Sequence, residues 1–297
     1  MSVKNSLAPQ SKRLGIGAYL NQDAVKNKIN EVVGGKNGQR LITAIVSATT
    51  ANPQLQECTN QSILSAALVG EGLKLSPSPQ LGQYYMVPFN DTKSKTKVAQ
   101  FQLGYKGYIQ LALRSGQYRK LNVMAIKEGE LIRFNPLEEE IEVNLIEDEA
   151  EREAAQTTGY YAMFEYLNGF KKAMYWSKEK MEGHALKFSQ GYAADKRKGT
   201  TWTFWSKDFD GMAFKTMLRQ LISKWGIMSI ELQTALDADM AVINEDGTKN
   251  YVDNESDEYN QENIVEAKTE VVEALEPEHD QEASSQSVQQ ALFGGNN

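Results

Sequence analysis

The 297-residue sequence predicts an α+β fold: a β-β-α-β unit, a second β-hairpin and packed helices, followed by an acidic, mostly disordered tail. Three observations carry that prediction. Two β-prone runs, QYYMVPF and VAQFQLGY, flank the polar loop NDTKSKTK and make a hairpin with Lys93, Lys95 and Lys97 at its tip. Residues 158–167 and 170–176 flank Asn168-Gly169, the strongest short-range hairpin signal. Between Asp208 and Trp225, the side chains of Phe214, Met217, Leu218, Leu221, Ile222 and Trp225 fall in one arc at about 100° per residue, the core face of a helix.

The remaining elements follow in chain order. Residues 1–36 are polar and rich in Asn and Lys, which predicts a flexible arm with a short helix. Residues 37–240 form the core. Leu41, Ile42, Ile45 and Val46 have helical spacing, and Asn60 can cap a second helix carrying Ile63, Leu64, Ala67 and Leu68. Gly72 and the prolines of GEGLKLSPSP stop it. After the first hairpin comes LGYKGYIQLALRSGQYRK, read as a short helix over 106–115, ended by Gly116, and a strand over 118–127. A two-residue type I′ turn at Asn168-Gly169 sets Glu165 opposite Lys172 and Met163 opposite Met174. Ser177 caps a helix over 177–190. Lys215 and Arg219 sit one turn apart just beyond the apolar arc and project together to one side, and a helix over 230–240 closes the core. Residues 241–297 are acidic and polar with few large apolar side chains, the composition of a disordered segment; a short helix over 264–275 and the terminal ALFGGNN are the exceptions.

Charge is unevenly divided. The formal net charge is −7, yet residues 1–240 carry 30 Lys and Arg against 25 Asp and Glu, whereas residues 241–297 carry two against 14. Residues 138–153 hold nine acids and one arginine, and residues 171–224 hold 12 basic side chains against five acids. Such blocks predict a cationic surface on an otherwise mildly acidic molecule. No run approaches the roughly 20 apolar residues of a membrane span, the N-terminus lacks a secretory signal, and the single Cys58 suits a reducing compartment, so the chain reads as cytoplasmic.

Most enzyme classes find no purchase. Two histidines, His184 and His279, supply no metal-ligand set and no Ser-His-Asp arrangement. GEGLK is not a P-loop and lies at the end of a helix rather than before one. The acids of LEEEIEVNLIEDEAERE are contiguous, whereas metal nucleases draw carboxylates from separate elements, so the run reads as a solvated or disordered loop. Basic residues interleaved with aromatics remain: DKRKGTTWTFWSKDFDGMAFKTMLRQL sets Lys196, Arg197 and Lys198 just before Trp202, Phe204 and Trp205. Single-stranded nucleic acid offers phosphates to cations and base faces to aromatic rings, and glycines let a backbone approach phosphates closely. For Trp202 and Trp205 core packing against the following helix is the slightly preferred reading.

LGYKGYIQLALRSGQY closely resembles the signature segment of the RecT family of phage and prophage single-strand annealing proteins. NPQLQECTNQSILSAALVGEGLKLSPSPQLGQYYMVPF and WSKDFDGMAFKTMLRQLISKWGIMS are similar to the family's upstream and downstream segments, in the family order. The resemblance implies a single-strand annealing protein core that binds single-stranded DNA and pairs it with a complementary strand, without ATP, metal or other cofactor and without a covalent catalytic site. It also implies a homo-oligomer, ring or helical filament, on the DNA and on the annealed duplex. A 5′→3′ exonuclease and the host single-strand-binding protein are the partners implied for the tail. The candidate phosphate ligands are Lys106, Arg114, Arg119, Lys120, Lys196, Arg197, Lys198, Lys207, Lys215 and Arg219, with Lys93, Lys95 and Lys97 as a second set. Tyr105, Tyr108 and Trp202 are candidate stacking or wedge residues, with core packing the alternative. Two readings from other classes stay open: a phage assembly or scaffold protein whose basic face is incidental, and a metal-dependent nuclease.

Overall fold

A computed structural model of the chain describes residues 14–91, 95–244 and 246–251. Four helices open it: α1 (Ile16–Leu20), α2 (Asp23–Val33), α3 (Gly35–Ala51) and α4 (Asn60–Gly72). The expected arm is therefore helical from residue 16 onward. Its polar composition hides one stripe, Val25, Ile29 and Val33 at four-residue spacing, which joins the core with Ile29 and Leu20 fully buried. Thr59 rather than Asn60 caps α4, its hydroxyl accepting from Ser62 N, while Asn60 donates to Leu14 O.

Strands β1 (Tyr84–Asp91) and β2 (Thr96–Leu103) pair as the expected hairpin, with Tyr84 opposite Leu103 and Met86 opposite Phe101. That register turns Tyr84, Met86, Phe101 and Leu103 into the core and leaves Tyr85, Val87 and Phe89 on the other face. Helix α5 (Tyr105–Arg114) crosses behind. A Cβ at Gly104 or Gly107 would collide with the carbonyl of Gly82 or Gln83, so these glycines seat α5 on the turn that precedes β1. Their requirement is the close approach of two stretches of backbone.

Strand β3 (Tyr118–Lys127) completes the β-β-α-β order but joins a different sheet, in the order β3-β6-β7 with β6 (Thr157–Tyr166) and β7 (Lys171–Ser177). Between them come β4 (Leu131–Asn135), β5 (Glu140–Val143) and α6 (Glu149–Ala154), so the acidic stretch 137–153, expected as a solvated or disordered loop, folds into a strand and a helix. Leu131, Ile141 and Val143 pack on one face of the three-stranded sheet, Glu140 and Glu142 are exposed, and Glu139 accepts from Lys172 Nζ and from Ala173 N of β7. Buried Glu130 ties the segment together by accepting from Lys127 N, Ile146 N and the Arg152 guanidinium.

The β6–β7 register differs from the expectation by one residue: Glu165 lies opposite Lys171 and Met163 opposite Ala173. A type I′ turn needs positive φ at both central residues. Only Gly169 has it (86°), and Asn168 instead accepts from Phe170 N through its side chain. The turn thereby takes three residues and shifts every pair.

Helices α7 (Lys178–Phe188, capped by Ser177), α8 (Gln190–Lys198), α9 (Phe204–Lys207), α10 (Phe209–Trp225) and α11 (Ile230–Ala238) follow. Helix α10 is the structural axis. Leu218 and Ile222 enter the core of α1–α5 and the first hairpin, while Met217 and Leu221 pack on β6 of the three-stranded sheet. Each such side chain stabilises the fold by about 1.5–3 kcal/mol through burial. The core also runs past residue 240. β8 (Ala241–Ile243) adds to the edge of β2 through Phe101 and Ala241, and β9 (Lys249–Tyr251) pairs with β8. Ala241, Val242 and Ile243 are buried, so the acidic tail begins later than its composition suggests. The helix expected over 264–275, ALFGGNN and His279 lie outside the described residues, as does Lys93. Among the described residues no helix is long and apolar enough to cross a membrane.

Candidate nucleic-acid interface

The outer face of β1 forms one wall of a groove of about 790 Å³, and the segment carrying Trp202, Phe204 and Lys207 forms the other. Tyr85 and Phe204 meet across it with ring centroids 5.5 Å apart. Trp202 is 69% exposed, an unusual position for the largest apolar side chain. Lys106 belongs to the same neighbourhood: a Cβ at Gly82 would lie 3.1 Å from Tyr85 Oη and 3.4 Å from Lys106 Cδ. Lys207 lines the groove directly. Arg197 and Lys198 occupy the last turn of α8, which Gly199 (φ 67°) ends just before Trp202.

A buried carboxylate holds this segment. Asp195 accepts from Thr200 Oγ1 (2.6 Å), Trp202 N (3.0 Å), Thr203 N (2.8 Å), Thr203 Oγ1 (2.8 Å) and Ser206 Oγ (2.7 Å). Burial works to raise the Asp195 pKa, but the hydrogen bonds from Thr200, Thr203 and Ser206 outweigh it and hold the carboxyl well below the usual carboxylate range. The segment that lifts Trp202 into solvent is therefore fixed at five points. Trp205 turns the other way and packs on Phe209 at 5.2 Å.

The remaining candidates divide sharply. Lys215 and Arg219 are not on the surface side expected of them. Lys215 is 5% exposed and donates to Asp239 Oδ1 at 3.0 Å, and Arg219 donates to Asp239 Oδ2 at 2.6 Å. Asp239 also accepts from Leu103 N, and from the hydroxyl of Tyr108, which is fully buried and so is no wedge. Burial opposes the Asp239 charge, and Lys215 and Arg219 outweigh it, so its carboxyl stays below the usual range. Tyr105 is half-buried, edge-on to Phe214 at 5.6 Å. Arg114 donates to the carbonyls of Leu73 and Lys74. Arg119 and Lys120 share Glu165, at 3.1 and 3.7 Å. Lys196 pairs with Glu182 at 2.6 Å and Lys97 pairs with Glu57. Lys95 sits exposed in the hairpin turn with φ 54°. Lys106, Arg197, Lys198 and Lys207 thus remain exposed, with no ion pair to another described residue.

Sequence reasoning left out Tyr85, Asp195 and Asp239, and noted Phe204 only as one of the aromatics following the basic run. A signal existed for Tyr85: QYYMVPF is apolar at every second position on both faces, whereas a half-solvated strand alternates. No such signal marks Asp195 or Asp239, whose partners only the tertiary fold assembles. Among the described residues no group of three or more His, Cys, Asp or Glu could hold a metal ion.

Comparison with known proteins gives concordant results. The model of the RecT family matches residues 38–283. An uncharacterised protein of Bacillus subtilis (strain 168), YqaK, is 39% identical over 265 residues, covering 86% of this chain and 84% of that protein. Protein RecT of Escherichia coli (strain K12) is 28% identical over 231 residues, covering 77% and 81%.

Proposed function

The chain belongs to the RecT family, whose members bind and anneal single-stranded DNA without a covalent catalytic step, and on that premise we propose that the strand runs along the groove between β1 and the Trp202 segment. The observation that carries this reading is the pairing of the exposed rings of Trp202 and Phe204, and the half-buried ring of Tyr85, with Lys106, Arg197, Lys198 and Lys207, which have no ion pair among the described residues. Cations at the rim grip phosphates while the rings accept base faces, a sequence-tolerant mode worth about 1–3 kcal/mol per stacked base. Base-reading forks are not needed, so Watson–Crick edges stay open to a second strand. Pairing then supplies about 1.4 kcal/mol per step, and the protein only organises the search and holds the product.

The working unit in this reading is a cytoplasmic homo-oligomer on single-stranded DNA and on the annealed duplex, as ring or filament. The acidic residues beyond 251 serve to dock a 5′→3′ exonuclease or a host single-strand-binding protein. The test is fluorescence anisotropy with a labelled oligonucleotide. Trp202→Ala should weaken binding about 5- to 150-fold, the range of one stacked base, equally for different sequences. Lys207→Ala should lower the slope of log affinity against log salt by about 0.7, the value for one phosphate contact on a single strand. If neither substitution changes binding, the strand does not run in this groove.

A further inference from the structure

One end of the three-stranded sheet is apolar and open. Leu167 and Phe170 at the β6–β7 turn, and Trp225, Ile227, Met228 and Ile230 from the end of α10 to the start of α11, are all exposed, Ile230 by 81% and Trp225 by 50%, with Lys172 Nζ lying 4.1 Å over the Trp225 ring. They form one surface because Tyr166 binds the two segments together: its hydroxyl donates to Trp225 O (3.1 Å), accepts from Ile227 N (2.6 Å), and its ring stacks on Phe170. At roughly 100 Å² of exposed area each, about half of a large side chain, these six residues offer some 600 Å². That is near the ~800 Å² per partner of a stable interface and at the upper end of what a monomer exposes. Lys171 and Lys224 lie beside this surface, exposed and with no ion pair to another described residue.

The opposite end of the same sheet has the complementary character. β3 and β6 run ten residues each, roughly 33 Å. At the far end, next to Lys127 and Thr157, the structure sets α6. There Glu147, Glu149, Glu151 and Glu153 are exposed without an ion pair among the described residues, beside exposed Leu145.

We propose that the apolar end is a docking face for a second copy of this chain, and that the surface it takes is the acidic α6 end of that copy's sheet. Self-pairing of the apolar end would bring Lys171 and Lys224 near their own counterparts, a like-charge contact. Pairing with α6 puts those lysines against unpaired carboxylates and covers Leu145. A contact between two different surfaces is heterologous: it leaves each added copy with one end open, so the assembly grows, or closes only as a ring. The proposal rests on the homo-oligomer named above and adds the two surfaces that build it.

The experiment uses the full chain without DNA, in low salt, with size-exclusion chromatography and light scattering. The first variant is Leu167→Asp with Ile230→Asp; the second is Glu149→Lys with Glu151→Lys. Wild type should give multimers, and each variant alone should run as a single chain. Mixed one to one, the two should form a two-chain complex and nothing longer, because each retains the end the other lacks. A wild type that stays a single chain at all concentrations overturns the proposal. So does an α6 variant that assembles like wild type, or a mixture that remains single chains. Should circular dichroism show the first variant unfolded, Leu167→Gln with Ile230→Gln replaces it under the same criteria. Oligonucleotide anisotropy on each variant separates the two readings: variants that bind DNA as single chains leave the groove intact, whereas a wild type that assembles but does not bind DNA sinks the groove alone.

Discussion

Lys215→Met separates structure from DNA contact more cleanly than any other single change. The ammonium is 5% exposed and 3.0 Å from Asp239 Oδ1, and Met keeps much of the side-chain volume without the charge. Asp239 would keep Arg219 at 2.6 Å and Leu103 N at 2.8 Å but lose one of its two cations in a fully buried setting. Removing one partner of a buried pair costs about 3–5 kcal/mol; the surviving arginine puts the expectation near the low end, about 3 kcal/mol. The assay is urea unfolding followed by circular dichroism at fixed protein concentration. The midpoint should fall by roughly 1 M or more, since the slope for proteins is about 1–3 kcal/mol per molar. The salt slope for oligonucleotide binding, measured below the transition, should not move. Asp239→Asn should destabilise at least as much, because both cations then lose their counter-charge. The reasoning is refuted if Lys215→Met leaves the midpoint in place and lowers the salt slope by about 0.7, the mark of a lost phosphate contact.

Three further outcomes are expected. Annealing of complementary oligonucleotides, followed by dye fluorescence, should run at full rate in EDTA with no ATP; a requirement for either would contradict membership among ATP-independent annealing proteins. Burial, with Lys187 and Lys180 adding to it, lowers the His184 pKa to about 4. The folded protein therefore stays neutral there while the unfolded chain takes up a proton below about 6.5, so stability should drop by roughly 2 kcal/mol between pH 6.5 and 4, and His184→Phe should flatten that drop in thermal melts. A chain ending at Tyr251 should melt and anneal like the full sequence, whereas one ending at Met240 loses the buried Val242 and Ile243 and should be less stable by about 4 kcal/mol; equal melting temperatures would show that β8 contributes nothing.

Helix α10, the first hairpin and β3 were legible because each is written in local spacing, which the chain cannot satisfy in two ways. The amphipathic stripe of α2 was present too, but a polar average concealed it. The β6–β7 register failed on one dihedral: Asn168-Gly169 allows both a two- and a three-residue turn, and the side-chain hydrogen bond to Phe170 N belongs to the longer one. The cations show a deeper limit. Helical spacing gives the angle between Lys215 and the apolar arc of its own helix, but not what fills that angle. Asp239, 24 residues later, does. Charge counts carry the same ambiguity, because Arg114, Lys97, Lys196, Arg119, Lys120, Lys215 and Arg219 all answer to groups inside the fold. The proposed groove is left with Lys207 on its wall and Lys106, Arg197 and Lys198 as the other exposed cations offered to the strand. At about 0.7 per contact, four phosphates give a salt slope of only about 3 for one subunit. If the strand runs in the proposed groove, a single copy should hold DNA weakly and lean on stacking, and firm retention should come from copies added along it.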